Sequence, residues 1–423
     1  MTVYAIDFGT SNTLCAAASR GELLPPAPLD PDAPDPTILR SALFFLSHDQ
    51  ATFGASATRA LVENGFRGRL IRSIKRHLPS RSFTKTQIGS RSFTLEDLIG
   101  AFLRVVRVRA NQHFDADVTR VVLGRPARFS NDPADDALAE ERLRGAARVA
   151  GFTDVSFCAE PLAAAYDFAA DLEEKRVVLI ADLGGGTSDF TAVRMSRGGF
   201  DPSDVLATYG VSVAGDALDG GLMRRVGAPH FGSRARYRVP FGHVDLTMPK
   251  KLVELLASPA DLTLLDRKKT LAELGSIRDG LLDPSERPAL ERFVALVEDG
   301  LGFPLYDAVE SAKRALSEAS TTTIDVEDPS IRFEASVDRR TFADATATER
   351  DAILAAMHHT LELASLAPRE VDILCLTGGT SRVPLIVEAL GAALPNAKLR
   401  RLASFHSVVT GLARHALTCD RPS

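Results

Sequence analysis

The chain has 423 residues, 45% of them apolar and 25% charged, and its 50 basic and 55 acidic side chains leave a net charge of −5. This is the composition of a globular chain with ample core, which excludes disorder, and the acidic balance argues against a protein that lives by phosphate-backbone contacts with nucleic acid. The cysteines Cys15, Cys158, Cys375 and Cys419 form no CxxC pair and stand at metal spacing from no histidine, which argues against zinc and against a disulfide framework.

Val3 to Ala18 reads as a β-hairpin around the turn formers Gly9-Thr10-Ser11-Asn12. Residues 21–37 place prolines among acids, which bars a helix and predicts a surface loop. Leu43–Leu46 is a short strand. Thr94 opens a helix, with its hydroxyl ahead of Glu96 and Asp97, and Leu98, Phe102, Val105 and Val106 recur at helical spacing. Val118–Leu123 is a strand, and Asp135–Ala150 is a helix stopped at Gly151. A helix is expected over Glu160–Glu173, with Pro161 in its first turn.

The apolar strand Val177–Asp182 runs into Asp182-Leu183-Gly184-Gly185-Gly186-Thr187-Ser188-Asp189, and Phe190–Val193 is its hairpin partner. Val205–Val211 is a strand, followed by a helix from near Gly215. Residues 224–300 read as helical and irregular. Then come a helix over Leu301–Ser317, strands Thr321–Val326 and Ile331–Val337, a helix Thr348–Ser365, the strand Val371–Leu376, and helices Pro384–Leu394 and Phe405–Leu417. Strands alternating with helices predict an α/β protein with mixed or parallel sheets. Asp7-Phe8-Gly9-Thr10 and Asp182–Thr187 echo each other, each following a buried strand and preceding another, which suggests two related lobes facing one cleft.

A carboxylate at a strand end, then glycines and hydroxyls, suits a phosphate ligand. The glycines let backbone N–H groups come close to an anion, and the acid suits a hydrated Mg²⁺. No GxxxxGK[ST] and no helix-opening GxGxxG occurs, so the Walker and Rossmann readings fail. A third turn, Leu376-Thr377-Gly378-Gly379-Thr380-Ser381-Arg382, could set helix-end amides and an arginine against a nucleotide. Taken singly, Asp7–Thr10 is a tight hairpin turn, Gly378–Gly379 a common strand-to-helix turn, and Lys75, inside the basic run Arg69–His77, a solvated charged face.

In order along the chain, these motifs resemble the nucleotide-binding domain of the DnaK-type heat-shock chaperones, within the actin-like ATPase fold. Asp7–Asn12 resembles the first phosphate turn, Ser73-Ile74-Lys75-Arg76 the catalytic-lysine segment, Arg125-Pro126-Ala127 the proline-containing strand end, and Glu160-Pro161-Leu162-Ala163-Ala164 the EPTAA-like helix start. Asp182–Asp189 resembles the second phosphate turn, Ala214–Asp219 the GGxDxD turn, Glu310–Ser317 the adenosine helix and Gly378–Arg382 the adenosine turn. Leu123–Pro126, Leu172–Val177 and Val409–Arg414 are similar to the YegD-like branch.

The resemblance implies two lobes, each a mixed sheet with flanking helices: 1–175 with 402–423, and 176–401 with a helical subdomain inserted near 222–318. It implies that ATP or ADP binds with Mg²⁺, with K⁺ as an alternative accompanying cation, and that ATP is hydrolysed slowly with lobe closure as the output. Asp7, Asp182 and Asp189 would surround the hydrated Mg²⁺. Lys75, Glu160, Asp182 and Thr187 would be catalytic: Lys75 at the γ-phosphate and water, Thr187 at the γ-phosphate, and Glu160 linking the water to interlobe movement. Gly9, Thr10, Ser11, Asn12, Gly184, Gly185 and Gly186 would line the phosphates. Gly215, Asp216, Glu310, Lys313, Arg314, Ser317, Gly378, Gly379 and Arg382 would hold the rest of the nucleotide.

The departures matter equally. No peptide-binding domain is expected after the helix ending near Leu417, so the domain would act as a stand-alone chaperone-like ATPase. Ser404-Phe405-His406 stands where the family has Asn-Pro-Asp, and the relay arginine of the family falls on Glu140. Residues 224–300 are unlike the family's small lobe; their Tyr237, Arg238, Phe241, Lys250, Lys251 and Arg267-Lys268-Lys269 suggest partner contact. The expected partner is a protein partner or client of a monomer, with no nucleic acid. The start Met1–Asp7 carries no leader and no apolar run approaches the ~20 residues that cross a bilayer, so a cytoplasmic protein without membrane contact is expected. A filament-forming actin relative and a small-molecule kinase of the same fold are the alternatives.

Overall fold

A computed structural model of the protein describes residues 2–419, apart from 66, 131, 169–171, 197–201, 240–242, 266 and 402–405. Phe241, Ser404, Phe405 and part of the expected helix Glu160–Glu173 therefore lie outside the described residues. The chain divides into two compact units. One comprises Met1–Arg59, Ser73–Gly215 and Arg350–Ser423, and the other Ala60–Arg72 and Asp216–Glu349. Both central sheets belong to the first unit, and the whole of the expected 222–318 insertion belongs to the second.

The two central sheets share one plan. In the first, Thr2–Phe8 pairs antiparallel with Asn12–Ser19 on one side and parallel with Arg120–Arg125 on the other; Glu22–Leu24 and Asp154–Ala159 complete the two flanks. In the second, Arg176–Leu183 pairs antiparallel with Ser188–Met195 and parallel with Ile373–Thr377, and Val205–Val211 and Lys398–Arg401 complete it. The repeated acid–glycine turn thus sits at the same place in each sheet, between the same two strands. Burial on both faces explains the apolar runs: Tyr4, Ala5, Ile6, Val178, Leu179 and Ile180 are all buried.

One core joins Ala5, Leu14 and Val122 of the first sheet to Val178, Ile180 and Cys375 of the second, and Val409 and Leu412 enter it from the last helix. That helix, Ser407–Cys419, packs on Glu160–Phe168, and a side chain at Gly411 would bring its Cβ within 1.8 Å of the Ala163 carbonyl oxygen. Glycine sets that close approach. The helix Leu95–Phe114 starts as expected: Thr94 Oγ1 accepts the Asp97 N–H at 3.1 Å, and Asp97 accepts the Thr94 N–H at 2.9 Å. Leu98, Phe102 and Val106 form its buried stripe.

Two expectations need correction. Residues 25–37 form the expected loop and most of 21–37 is at least partly exposed, but Glu22–Leu24 is a strand, and Ala27, Leu29 and Asp30 are buried. Asp30 is affordable there because its carboxylate accepts the Ala55 N–H at 2.7 Å. The helix from Glu160 runs to Phe168, and Leu172 and Glu173 lie outside any helix.

In the second unit, Gly302–Ala315 packs on the hairpin Thr321–Val326 and Phe333–Asp338. Helices Lys250–Leu256, Pro259–Leu264, Arg267–Asp279 and Arg287–Glu298 fill much of 224–300. This stretch also holds a two-stranded hairpin, Arg236–Tyr237 with Leu246–Thr247, that the sequence reading did not foresee. The short strand Arg69–Arg72 lies against Pro259–Leu264. Among the described residues no helix is long and apolar enough to cross a membrane.

Candidate functional site

Both phosphate-type turns close in the same way. Gly9 N–H donates to the Asn12 carbonyl at 2.9 Å, and Gly184 N–H donates to the Thr187 carbonyl at 2.9 Å. A Cβ at Gly9 would fall 2.4 Å from the Asn12 oxygen, so the first turn admits only glycine there. The two turns also meet. A Cβ at Gly186 would lie 2.6 Å from Thr10 Oγ1 and 3.3 Å from the stem of Arg76. The third turn is stitched to the second: Thr380 Oγ1 donates to the Gly184 carbonyl at 2.6 Å, and Gly378, at φ 82°, packs directly on the Leu183 carbonyl. Gly215 N–H reaches the same Gly184 oxygen at 3.3 Å. Gly379 faces open space, so close packing does not explain its missing side chain. Gly9, Thr10, Gly184, Gly186, Gly378 and Arg76 thus converge in the first unit.

Asp182 faces Asp189 across the hairpin and Thr377 across the parallel pair. Lys75 sits on a 3₁₀ turn, Ile74–His77, entered through Ser73 in a left-handed conformation at φ 53°. It is not on a solvated face. It is 7% exposed, and its Nζ donates to Glu160 Oε1 at 2.7 Å. Glu160, also buried, opens its helix, where the positive end of the dipole favours a carboxylate.

The electrostatics show that these groups act on one another. Asp7 keeps part of its surface open, yet burial, reinforced by Glu160 and opposed by Lys75, pushes its carboxyl up to about 7. Asp189 also rises to about 7, through burial and then Glu160, against donors from Thr187 and the Ala127 N–H. Asp182 rises well above the usual carboxylate range through burial, with Glu160, Asp189 and Asp7 adding to it. Burial would lower Lys75, but Glu160 and Asp7 more than reverse this and raise it. Four acids thus surround one lysine.

Asp189 Oδ1 accepts the Ala127 N–H at 2.8 Å, while its Oδ2 is buried without a hydrogen-bond partner among the described residues. That orphaned oxygen and the surplus of negative charge fit a divalent cation. Among the described residues no three His, Cys, Asp or Glu side chains stand close enough to hold a bare ion, so the cation that would suit Asp7, Asp182 and Asp189 is one such as Mg²⁺, which keeps most of its waters.

In the second unit the expected adenosine residues are already engaged. Lys313 Nζ donates to Asp219 Oδ2 at 2.7 Å, and burial, opposed chiefly by Lys313, pushes Asp219 up to about 6. Glu310 accepts Arg72 at 3.1 Å through Oε2 and Arg314 through Oε1. Ser317 lies just past the helix, its N–H on the Arg314 carbonyl at 3.0 Å. Asp216 and Glu310 are both charged neighbours of Asp219. Sequence reasoning passed over Arg72, Arg76 and Asp219 as participants. Arg72 and Arg76 were hidden in a basic run, and Asp219 carried no signal beyond its place in the GGxDxD-like turn.

Glu140, where the resemblance would put a relay arginine, accepts Arg125 at 2.5 Å and Arg144 at 3.1 Å; Arg125 is further held by Asp136 at 2.9 Å. The acid stands on the helix and the arginine on the strand end beside Pro126, two residues before the N–H that meets Asp189.

The sequence model of one protein family, described as Hsp70 protein, matches residues 60–230 and 303–416. The matched stretches contain Lys75, Glu160, Asp182–Asp189, Gly215–Asp219, Glu310–Ser317 and Gly378–Arg382; the turn Asp7–Asn12 and most of 224–300 lie outside them. The match covers more than half of the chain, and the fold it implies, that of the actin-like ATPases, is the one built here from two sheets of a single plan: the chain belongs to the Hsp70 family, whose nucleotide-binding domains bind ATP and are ATPases.

Proposed function

We propose that the chain binds Mg²⁺ with ATP or ADP and hydrolyses ATP slowly, as a chaperone-like member of the YegD-like branch. The observation that carries this reading is the burial of Lys75 against Glu160 among Asp7, Asp182 and Asp189. Phosphoryl transfer asks a protein for positioning and for cationic stabilisation of the charge that develops in flight. Lys75 supplies the cation, and Thr10, Thr187 and the amides of Gly184–Gly186 supply neutral donors. Asp7, Asp182 and Asp189 would hold the hydrated Mg²⁺, which when bound would neutralise phosphate charge.

Glu160 is the carboxylate suited to orient the attacking water. It is also the reason for slowness: Lys75 must share its ammonium between Glu160 and the phosphate, so each turnover weakens a buried ion pair. Glu310, Lys313, Arg314, Ser317, Gly378, Gly379 and Arg382 are assigned to the adenosine on the resemblance. Lobe closure on nucleotide would be the output delivered to a protein partner. The exposed cations Lys250, Lys251, Arg267, Lys268 and Lys269 are our candidate for that partner's contact.

Calorimetry with MgATP and MgADP, followed by single-turnover hydrolysis with Lys75→Ala, tests the reading. The parent should bind both nucleotides. The variant should lose at least about 100-fold in hydrolysis while its ADP affinity changes only severalfold, because Lys75 matters most in the transition state. A parent that gives no heat with either nucleotide refutes the proposal.

A further inference from the structure

The side chains around Glu310 include one that the reading above leaves without a role. Arg72 ends the strand Arg69–Arg72. Its Nη2 donates to Glu310 Oε2 at 3.1 Å, and its Cζ lies 5.5 Å from the centre of the Phe303 ring. The other Glu310 oxygen takes Arg314, one helical turn further on. One carboxylate therefore joins two guanidiniums, and both of its oxygens are in use. Exposure separates the two arginines: the Arg72 and Glu310 side chains are 20% and 19% exposed, whereas Arg314 is 64% exposed. The inner pair is sheltered, and the outer arginine is the one a ligand can reach.

We propose that Arg72 is a positioning residue that holds the Arg314 guanidinium, through Glu310, for contact with the adenine of ATP or ADP. The proposal rests on the nucleotide reading above. An exposed arginine carries about 2 kcal/mol of rotamer entropy, and an i,i+4 carboxylate on a helix surface offers only about 0.3–0.5 kcal/mol to restrain it. Glu310 by itself is also a free rotor. Arg72 removes that freedom: its fork fixes the carboxylate, and Phe303 provides the floor on which the fork lies. With Glu310 fixed, Arg314 meets the purine already ordered, and the ordering cost falls outside the binding step.

The test compares two ligands on the full chain. MgADP has the base; Mg-tripolyphosphate has the phosphates and no base. Arg72→Met keeps the stem over Phe303 and removes the fork. It should lower ADP affinity about five- to tenfold, the range expected for freeing one or two long side chains, and leave tripolyphosphate affinity unchanged. Arg314→Met should cost a similar factor, and adding it to Arg72→Met should cost little more, because both act through one contact. Arg72→Lys, which keeps the charge without the fork, should lose about threefold, again for ADP alone, and serves if the methionine variant melts early. Equal losses for both ligands, no loss of ADP affinity in either Arg72 variant, or fully additive losses with Arg314→Met would each overturn the proposal. A parent that binds tripolyphosphate but not ADP would refute the nucleotide reading itself, and the positioning role with it.

Discussion

Replacing Lys75 by methionine should damage the fold as well as the reaction, and by a calculable route. Lys75 and Glu160 are 2.7 Å apart, with side chains 7% and 10% exposed. Methionine keeps most of the aliphatic stem, so little packing is lost. What remains is the Glu160 carboxylate, buried beside Asp7, Asp182 and Asp189 with its cation gone. Removing one partner of a buried ion pair typically costs about 3–5 kcal/mol. Adding Glu160→Gln removes the stranded charge, and the double variant should recover to within about 1–2 kcal/mol of the parent, since apolar or neutral replacement of a whole buried pair is nearly free. The double variant should therefore be more stable than Lys75→Met alone by about 2–3 kcal/mol. The chain has no tryptophan, so urea unfolding of the nucleotide-free protein is followed by circular dichroism. Both variants should be inactive in single-turnover hydrolysis, so stability and turnover separate in the double variant. If single and double variants unfold at the same urea concentration, Glu160 is not stranded by the loss of Lys75. The burial argument then fails, even if activity is lost.

Two further outcomes follow from the same groups. Burial, with Glu160 beside them, pushes the carboxyls of Asp7 and Asp189 up to about 7 in the folded protein from an ordinary aspartate value of 3.8, so between these limits the folded state holds protons that the unfolded chain has released. Their contribution to stability is complete below about pH 4 and is lost as pH rises toward 7, at up to about 1.4 kcal/mol per pH unit for each group; in nucleotide-free, Mg²⁺-free buffer the parent should therefore lose stability relative to Asp7→Asn from pH 5 to pH 8, and a gain across that range would contradict the assignment. Gly186→Ala places a methyl 2.6 Å from Thr10 Oγ1, where the two phosphate turns meet; calorimetry should show ATP affinity falling about tenfold or more while the melting curve shifts by the equivalent of about 1–3 kcal/mol, the usual cost of overpacking, and an unaffected affinity would mean the turns do not share a ligand.

Much of the fold was legible because burial writes itself into local sequence. The central strands are buried on both faces and read as unbroken apolar runs; Val205–Val211 and Thr321–Val326 carry the bounds expected of them. Thr94 announced its helix because capping needs an oxygen at one position and an acid three residues later. Elements defined only by a distant neighbour left no such trace. Lys398–Arg401 is exposed at every position and is a strand solely because it pairs with Ile373–Thr377. The prolines of 21–37 correctly barred a helix. They could not show that Asp30 would be buried by a backbone N–H 25 residues away.

The site divides along the same line. Glycines are legible where backbone approaches backbone, so the turns at Gly9, Gly184 and Gly378 could be found from residue type alone. Lys75 could not. Its neighbours in sequence are cations, and the partner that makes it a buried residue lies 85 positions away at Glu160. Arg72 and Glu310, 238 positions apart, are the extreme case. Such pairs exist only once the sheets and helices have brought them together, and here they gather charge that the fold alone leaves unbalanced. Four acids around one lysine raise the energy of the nucleotide-free protein, and the core shared by the two sheets offsets that cost. A divalent cation brought in with the phosphates would offset that surplus of negative charge. The cost of gathering these acids would thereby become a preference for the cation-bound protein, and stability should rise with ligand as the logarithm of its concentration over its dissociation constant.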